Sequence, residues 1–159
     1  MTDPAIIRGN QAAEIPQTSQ TSRLVDAVVA VLKAELNRDL HVDIMPDKPA
    51  DFDLAERAPG AVLVHYRGSK YKRGGSAQPR DLTIDLHLRL RGQSGTFGAP
   101  VMVDTVSEIL QGRQLAGSTA FQLESDGLVQ EQGGLWDYVV TFTTELPRVA
   151  RRHSDWRPY

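Results

Sequence analysis

The chain contains no cysteine among its 159 residues. Disulfide frameworks, thiolate zinc sites and cysteine nucleophiles are therefore excluded. Long apolar runs are also missing: none approaches the ~20 residues that span a bilayer. The opening MTDPAIIRGNQAAEIP lacks a basic segment followed by an apolar one, as a secretory signal would have. We expect a protein that is made in the cytoplasm, does not contact membranes, and is stabilised by packing or by assembly.

Charge of one sign is not in excess either. The formal net charge is -2 and the pI is about 6.1, whereas a dedicated nucleic-acid-binding domain typically has a pI above about 9. Apolar residues make up 40% and charged residues 24%, which is close to the average for soluble globular proteins. The length suits one domain.

The periodicity divides the chain into three parts. Residues 1–20 show no sustained period and are predicted to be a flexible N-terminal arm, residues 21–149 a single domain, and residues 150–159 a C-terminal tail. In TSRLVDAVVAVLKAELNRDL the apolar residues follow helical spacing. This pattern predicts a helix capped by Thr21 or Ser22 that ends near a left-handed Asn37.

The strongest strand pattern is DLTIDLHLRLRG, in which every second residue is apolar. Such alternation predicts a long central strand with one face on the core and one in water. Further strands are predicted in LHVDIM, AVLVHYRG, STAFQLES, GLVQEQ and LWDYVVTFTTELP, with EQGG as a hairpin turn and a second helix from Pro100. We predict an α+β fold: a single, mainly antiparallel sheet of about five strands with two helices packed on one face, a long β-hairpin and extended terminal arms.

Four histidines raise the question of a metal. His41 and Asp43 lie two residues apart on one predicted strand, and His65 and His87 lie on others, so a cluster forms if these strands are neighbours. However, His87 belongs to the polar set of an alternating strand, where histidine is usually solvated. We therefore expect no metal and no cofactor.

Hydrolytic chemistry is also weakly supported. GQSGTFG misses the G-x-S-x-G spacing of a nucleophile elbow by one residue, and its serine and glycines suit an ordinary turn. The carboxylates of DKPADFDLAE lie in a polar loop, where they are usually solvated. Neither motif therefore indicates a hydrolytic site.

The stretch GSKYKRGGSAQPRD concentrates positive charge between two predicted strands. It does not fit a P-loop, because the order of glycine and lysine is wrong and a strand follows where a helix is needed. A contact with a partner, a solvated hairpin and a nucleic-acid contact remain open. The candidate contact residues of this stretch are Arg67, Lys70, Tyr71, Lys72, Arg73 and Arg80.

The C-terminal RRHSDWRPY combines aromatic residues with arginines after the last predicted strand. Trp, Tyr and Arg dominate the energetics of protein interfaces, so this tail is a candidate anchor on a neighbouring subunit, with a frayed tail as the alternative. The candidate interface residues are Arg151, Arg152, Trp156, Arg157 and Tyr159.

The order of elements resembles a family of small tail proteins from Mu-like contractile phages and prophages, which are thought to be tail terminators. The resemblance covers about residues 21–149 and includes a Val-x-Tyr-x-Gly-Ser-x-Tyr phrase. That phrase comprises Val64, Tyr66, Gly68, Ser69 and Tyr71.

The resemblance implies a non-enzymatic virion structural protein without cofactors. It would form a homohexameric ring that caps the head-proximal end of the tail tube and sheath, stops polymerisation and contacts the neck or head-tail connector proteins. Genomic DNA would pass through the lumen with at most weak, salt-sensitive contact. The alternatives are another neck or tail completion protein or connector, a nucleic-acid-binding module, and a small metal-dependent or hydrolytic enzyme.

Overall fold

The computed structural model describes residues 19–74 and 77–149. In chain order the elements are α1 (Gln20–Glu35), β1 (His41–Ile44), a 3-10 helix (Pro49–Asp51), β2 (Gly60–Tyr71), β3 (Ala77–Leu90), α2 (Ala99–Leu110), β4 (Gln122–Gln132) and β5 (Leu135–Val149). Two helices and one five-stranded sheet confirm the predicted α+β class.

The strand order in the sheet is β1-β2-β3-β5-β4. The pairs β2–β3, β3–β5 and β4–β5 are antiparallel, and only β1 runs parallel to its neighbour, β2. A parallel pair needs a crossover. The segment between β1 and β2, which includes the 3-10 helix, supplies it and packs on the face of the sheet opposite the helices.

Both helices cover one face of the sheet, because the alternating apolar residues of the central strands all point to that side. One continuous core joins α1, α2, β2, β3 and β5. Its fully buried large side chains include Leu24, Leu32, Leu82, Ile84, Leu86, Leu110, Phe121, Phe142 and Leu146. The prediction that the alternating apolar residues of β3 face the core is thereby confirmed.

The N-terminus of α1 lies earlier than predicted. Ser19, rather than Thr21 or Ser22, is the N-cap, and its Oγ accepts a hydrogen bond of 3.0 Å from the backbone N–H of Ser22. At the other end Asn37 is not left-handed: its Oδ1 accepts from the backbone N–H of Asp39 at 2.9 Å instead.

The basic stretch is more regular than the sequence suggests. Strand β2 continues to Tyr71 and β3 starts at Ala77, so most of the predicted loop is paired, including Lys70 with Asp81. Backbone pairing does not depend on apolar side chains, and β5 runs beside β3 as far as Ala77, which supports this end of the hairpin. The connection between the strands is only residues 72–76.

Strand β4 also differs from its prediction. The two predicted strands STAFQLES and GLVQEQ are one strand that starts only at Gln122 and is interrupted by register shifts. The predicted hairpin turn to β5 is present, with positive φ at Gly133 and Gly134. Every residue of β4 is exposed, because no helix covers this edge of the sheet.

Within the described residues, neither helix is both long enough and apolar enough to cross a membrane.

We expect Leu86→Ala to destabilise the fold by about 2–5 kcal/mol, since it opens a cavity beneath both helices. Val101→Ala is the matched control, because Val101 is exposed on α2 and its replacement should change the free energy of unfolding by about 0.5 kcal/mol or less. Urea denaturation of both variants measures the difference. Equal midpoints would contradict the core assignment.

Candidate functional site

The face of the sheet opposite the helices, here called the open face, carries polar side chains that bind one another across the strands. These contacts join β2 to β3 and β5, β3 to β5, and β5 to β4. The segment between β1 and β2 covers one part of this face. For function it matters whether these side chains can bind a ligand or are already bound to one another within the fold.

Arg67, Asp85 and Thr141 form one network. The Arg67 Nε and Nη2 donate to the two carboxylate oxygens of Asp85, each at 2.8 Å, and the Thr141 hydroxyl donates to Asp85 Oδ1 at 2.8 Å. Arg67 lies where the β2–β3 register shifts. Its side chain is 53% exposed, whereas that of Asp85 is only 7% exposed. The hydrogen bonds and the charge of Asp85 raise the pKa of Arg67. The buried carboxylate therefore depends on the guanidinium for its charge compensation.

Arg89 and Asp137 form a second network. The Arg89 Nε donates to Asp137 Oδ1 at 2.8 Å, and Gln130 Nε2 donates to Asp137 Oδ2 at 2.9 Å. Arg89 Nη1 also donates to the backbone oxygen of Phe52 at 3.1 Å, which fastens the crossover segment to the sheet. Burial alone would raise the pKa of Asp137, but the hydrogen bonds from Arg89 and Gln130 outweigh it and lower that pKa below its usual range.

His65 and His87 lie between the two networks, with ring centroids 5.6 Å apart. Potential ligand atoms of His65, His87 and Asp85 all lie within 4.8 Å of one another. The rings line a cavity of about 270 Å³, and the buried Nε2 of His87 has no hydrogen-bond partner within 19–74 and 77–149. His41 is not part of this group; its ring packs on Phe52 at 5.3 Å.

The sequence therefore predicted that His65 and His87 could lie close together, but not that Asp85 lies beside them. It missed Asp85 because the cross-strand pairing of His65 with Asp85 depends on register, which the alternation alone does not fix. Asp85 accepts three hydrogen bonds, two of them from a cation, so a divalent metal would compete with Arg67 for the same oxygens. The cluster is best explained as a structural network, and the absence of a metal remains a prediction.

The predicted basic contact residues separate into four groups, and Arg67 belongs to the Asp85 network described above. Lys72 bridges Asp81 at 3.2 Å and Glu145 at 3.0 Å. Lys70 and Arg73 are exposed, and neither forms an ion pair within the described ranges; Tyr71 between them is 48% exposed.

Arg80 was predicted to be a surface contact residue, but the structure buries it. It points to the helix side of β3, is only 6% exposed, and donates to the Thr21 hydroxyl at 3.0 Å. Alternation explains the error: Arg80 shares its parity with the core residues of β3, so it is turned inward beside α1. The predicted interface residues Arg151, Arg152, Trp156, Arg157 and Tyr159 lie outside the described residues.

Strand β4 is a second candidate surface, and the sequence did not single it out. It is the last strand in the sheet order and carries Leu128 at 52% and Val129 at 62% exposure. Its charged residues are Glu124, Asp126 and Glu131, all acidic. The missing period-two apolar pattern in LESDGLVQEQ was the available sign that this strand has no buried face.

We expect Arg67→Met to lower the free energy of unfolding by about 1–3 kcal/mol at neutral pH, because it leaves the buried Asp85 carboxylate without its main donors. Arg73→Met, which removes the same group from an exposed position without an ion pair, should have little effect. Chemical denaturation of the two variants checks this difference. A loss in Arg67→Met no larger than in Arg73→Met would contradict the structural role of the network.

His87 should make stability depend on pH. Burial lowers its pKa below the ordinary value of 6.5, and the charges of His65 and Arg67 act in the same direction. The unfolded chain therefore binds a proton more readily, so this contribution is complete above about pH 6.5 and is lost as the pH falls below it. His87→Gln should flatten the fall in Tm between pH 7.5 and 5 measured by calorimetry; an unchanged slope would contradict this assignment.

This chain is similar to a solved structure and to a protein family. A chain from a structure described as "Virion of native gene transfer agent (GTA) particle" is similar to it with a TM-score of 0.55 and 12% identity, over 83% of this chain and 100% of that chain. At this identity the likeness shows the fold. No curated protein matched the sequence. The family model described as Gp37 protein matches residues 28–159, so the chain belongs to the Gp37 protein family.

Proposed function

We propose that this chain is a structural protein of a phage or phage-like virion and that it acts as a tail terminator. In this role a homohexameric ring caps the head-proximal end of the tail tube and sheath and stops their polymerisation. It presents its other surface to the neck and the head-tail connector proteins. No cofactor or catalytic residue is assigned.

The observation that carries the proposal is the extent of the structural likeness. The aligned chain of the gene transfer agent particle is covered completely, so the shared part is an entire domain and not a common fragment of a sheet. Shared folds often carry different functions, so the likeness is an analogy and needs the test below. The succession of elements that resembles the tail terminators of Mu-like phages favours the terminator role among virion roles.

The open face is consistent with a structural role. Its arginines and carboxylates are bound to each other, with Asp85 and Asp137 each held by two donor residues. Such cross-strand networks make the sheet a rigid plate. The surfaces left for assembly are the basic end of the β2–β3 hairpin and the exposed strand β4. The exposed cations of the hairpin would either meet an acidic protein neighbour or line the DNA passage with weak attraction.

Particles produced with and without this gene test the proposed role. Without the protein we expect tails of uncontrolled length that do not join heads, and in complete particles antibody labelling should mark the end of the tail next to the head. Labelling at the neck with normal tail lengths would instead identify a connector or completion protein. Absence of the protein from purified particles would overturn the virion role altogether.

The basic hairpin gives a residue-level prediction. Replacing Lys70, Lys72 and Arg73 with Ala should leave the fold intact, because all three side chains are exposed and the strands are held by backbone pairing. The variant should reduce the yield of finished tails in a complementation assay while Tm stays near that of the wild type. Normal tail assembly would show that these residues are only solvated.

A further inference from the structure

Two surfaces of the chain share an unusual exposure of large apolar side chains. Six such residues are exposed within the described ranges, and four of them lie on β4 or at the end of the β2–β3 hairpin. These four are Tyr71, Leu123, Leu128 and Val129. We name the first surface the basic tip (Lys70, Tyr71 and Arg73) and the second the acidic edge (Glu124, Asp126, Leu128 and Val129).

The two surfaces carry opposite charge. The basic tip has two exposed cations that form no ion pair within the described ranges. The acidic edge has two exposed carboxylates, and β4 as a whole contains no basic residue. Each surface therefore offers apolar area flanked by charges that the other could neutralise.

The register of the sheet keeps the two surfaces of one chain apart. Leu128 of β4 lies in the same cross-strand row as Val62 of β2. The row consists of Leu128, Tyr138, Leu88 and Val62. Tyr71 lies nine residues beyond this row along β2, roughly 30 Å, and five residues beyond the row of Leu123, roughly 17 Å; three strand spacings add roughly 14 Å across the sheet. A paired sheet cannot fold back over this distance, so the surfaces can meet only between two copies.

The edge position of β4 adds a second reason for a partner. Because β4 ends the strand order, the backbone groups on its outer side have no strand partner within the described ranges. A long exposed edge with apolar side chains is a surface that proteins usually protect or use. The basic tip of another copy is an occupant of matching charge that this chain itself supplies.

We propose that the basic tip of one copy docks on the acidic edge of the next copy. The contact joins two different patches, so it repeats from subunit to subunit and generates a closed ring when the rotation permits. The inference rests on the proposed function in one respect, namely that the assembly is a ring of this chain. It goes further by naming the two surfaces that meet.

Charge reversal on the full-length chain tests the contact. One variant carries Lys70→Glu and Arg73→Glu, and the second carries Glu124→Lys and Asp126→Lys. Each alone places like charges together, so we expect its self-association constant to fall at least about tenfold in low salt. Sedimentation velocity measures this against the 17.5 kDa monomer. An equimolar mixture of the two variants should associate again, with the variants alternating, because each tip then meets an edge of opposite charge.

The matched control reverses two exposed cations elsewhere, Arg38→Glu and Arg57→Glu, which changes the net charge by as much as the first variant. It should associate like the wild type. Oligomers that resist both reversals, or a mixture that fails to recover, would overturn the contact, as would a wild-type chain that stays monomeric at high concentration. None of these outcomes bears on whether the protein is found in virions, which labelling of particles decides separately.

Discussion

The structure depends on the strict alternation of apolar and polar residues in β3. One parity of this strand forms the floor of a core shared by both helices, and the other parity is forced onto the open face. Charged side chains placed there beside β2 and β5 can be partly buried only if they bind each other. The Asp85 and Asp137 networks are the result. The alternation that builds the core therefore also places the polar side chains of the open face where they bind one another.

The fold could be predicted from the sequence to the extent that it follows from periodicity. Strand β3, helix α1 and the glycine turn before β5 each have a local pattern that one principle explains. The open-face network could not be predicted, because it requires the register between strands distant in sequence, as between Asp85 and Thr141. Arg80 is a different case: its charge suggested a surface position, but the alternation within β3 already places it on the side of the core residues.

The two assembly surfaces illustrate a different limit. The basic residues near Tyr71 form a visible cluster in the sequence. In QLESDGLVQEQ the available sign is the missing period-two apolar pattern, which does not by itself place the strand at the edge of the sheet. Strand β4 is exposed because of its place at the edge of the sheet, which only the topology reveals. In the proposed structural role, these two uncovered surfaces are the parts of the fold that would contact other subunits.

The two edges of the sheet are unequal, and this asymmetry limits how copies can combine. Strand β1 has only four residues, with α1 and the crossover segment beside it, while β4 has eleven residues and no further strand on its outer side within the described ranges. Endless growth by joining sheets edge to edge requires two free edges of similar length. Among the described residues β4 is the one long edge strand, so continuous growth of sheets through both edges of each copy is disfavoured.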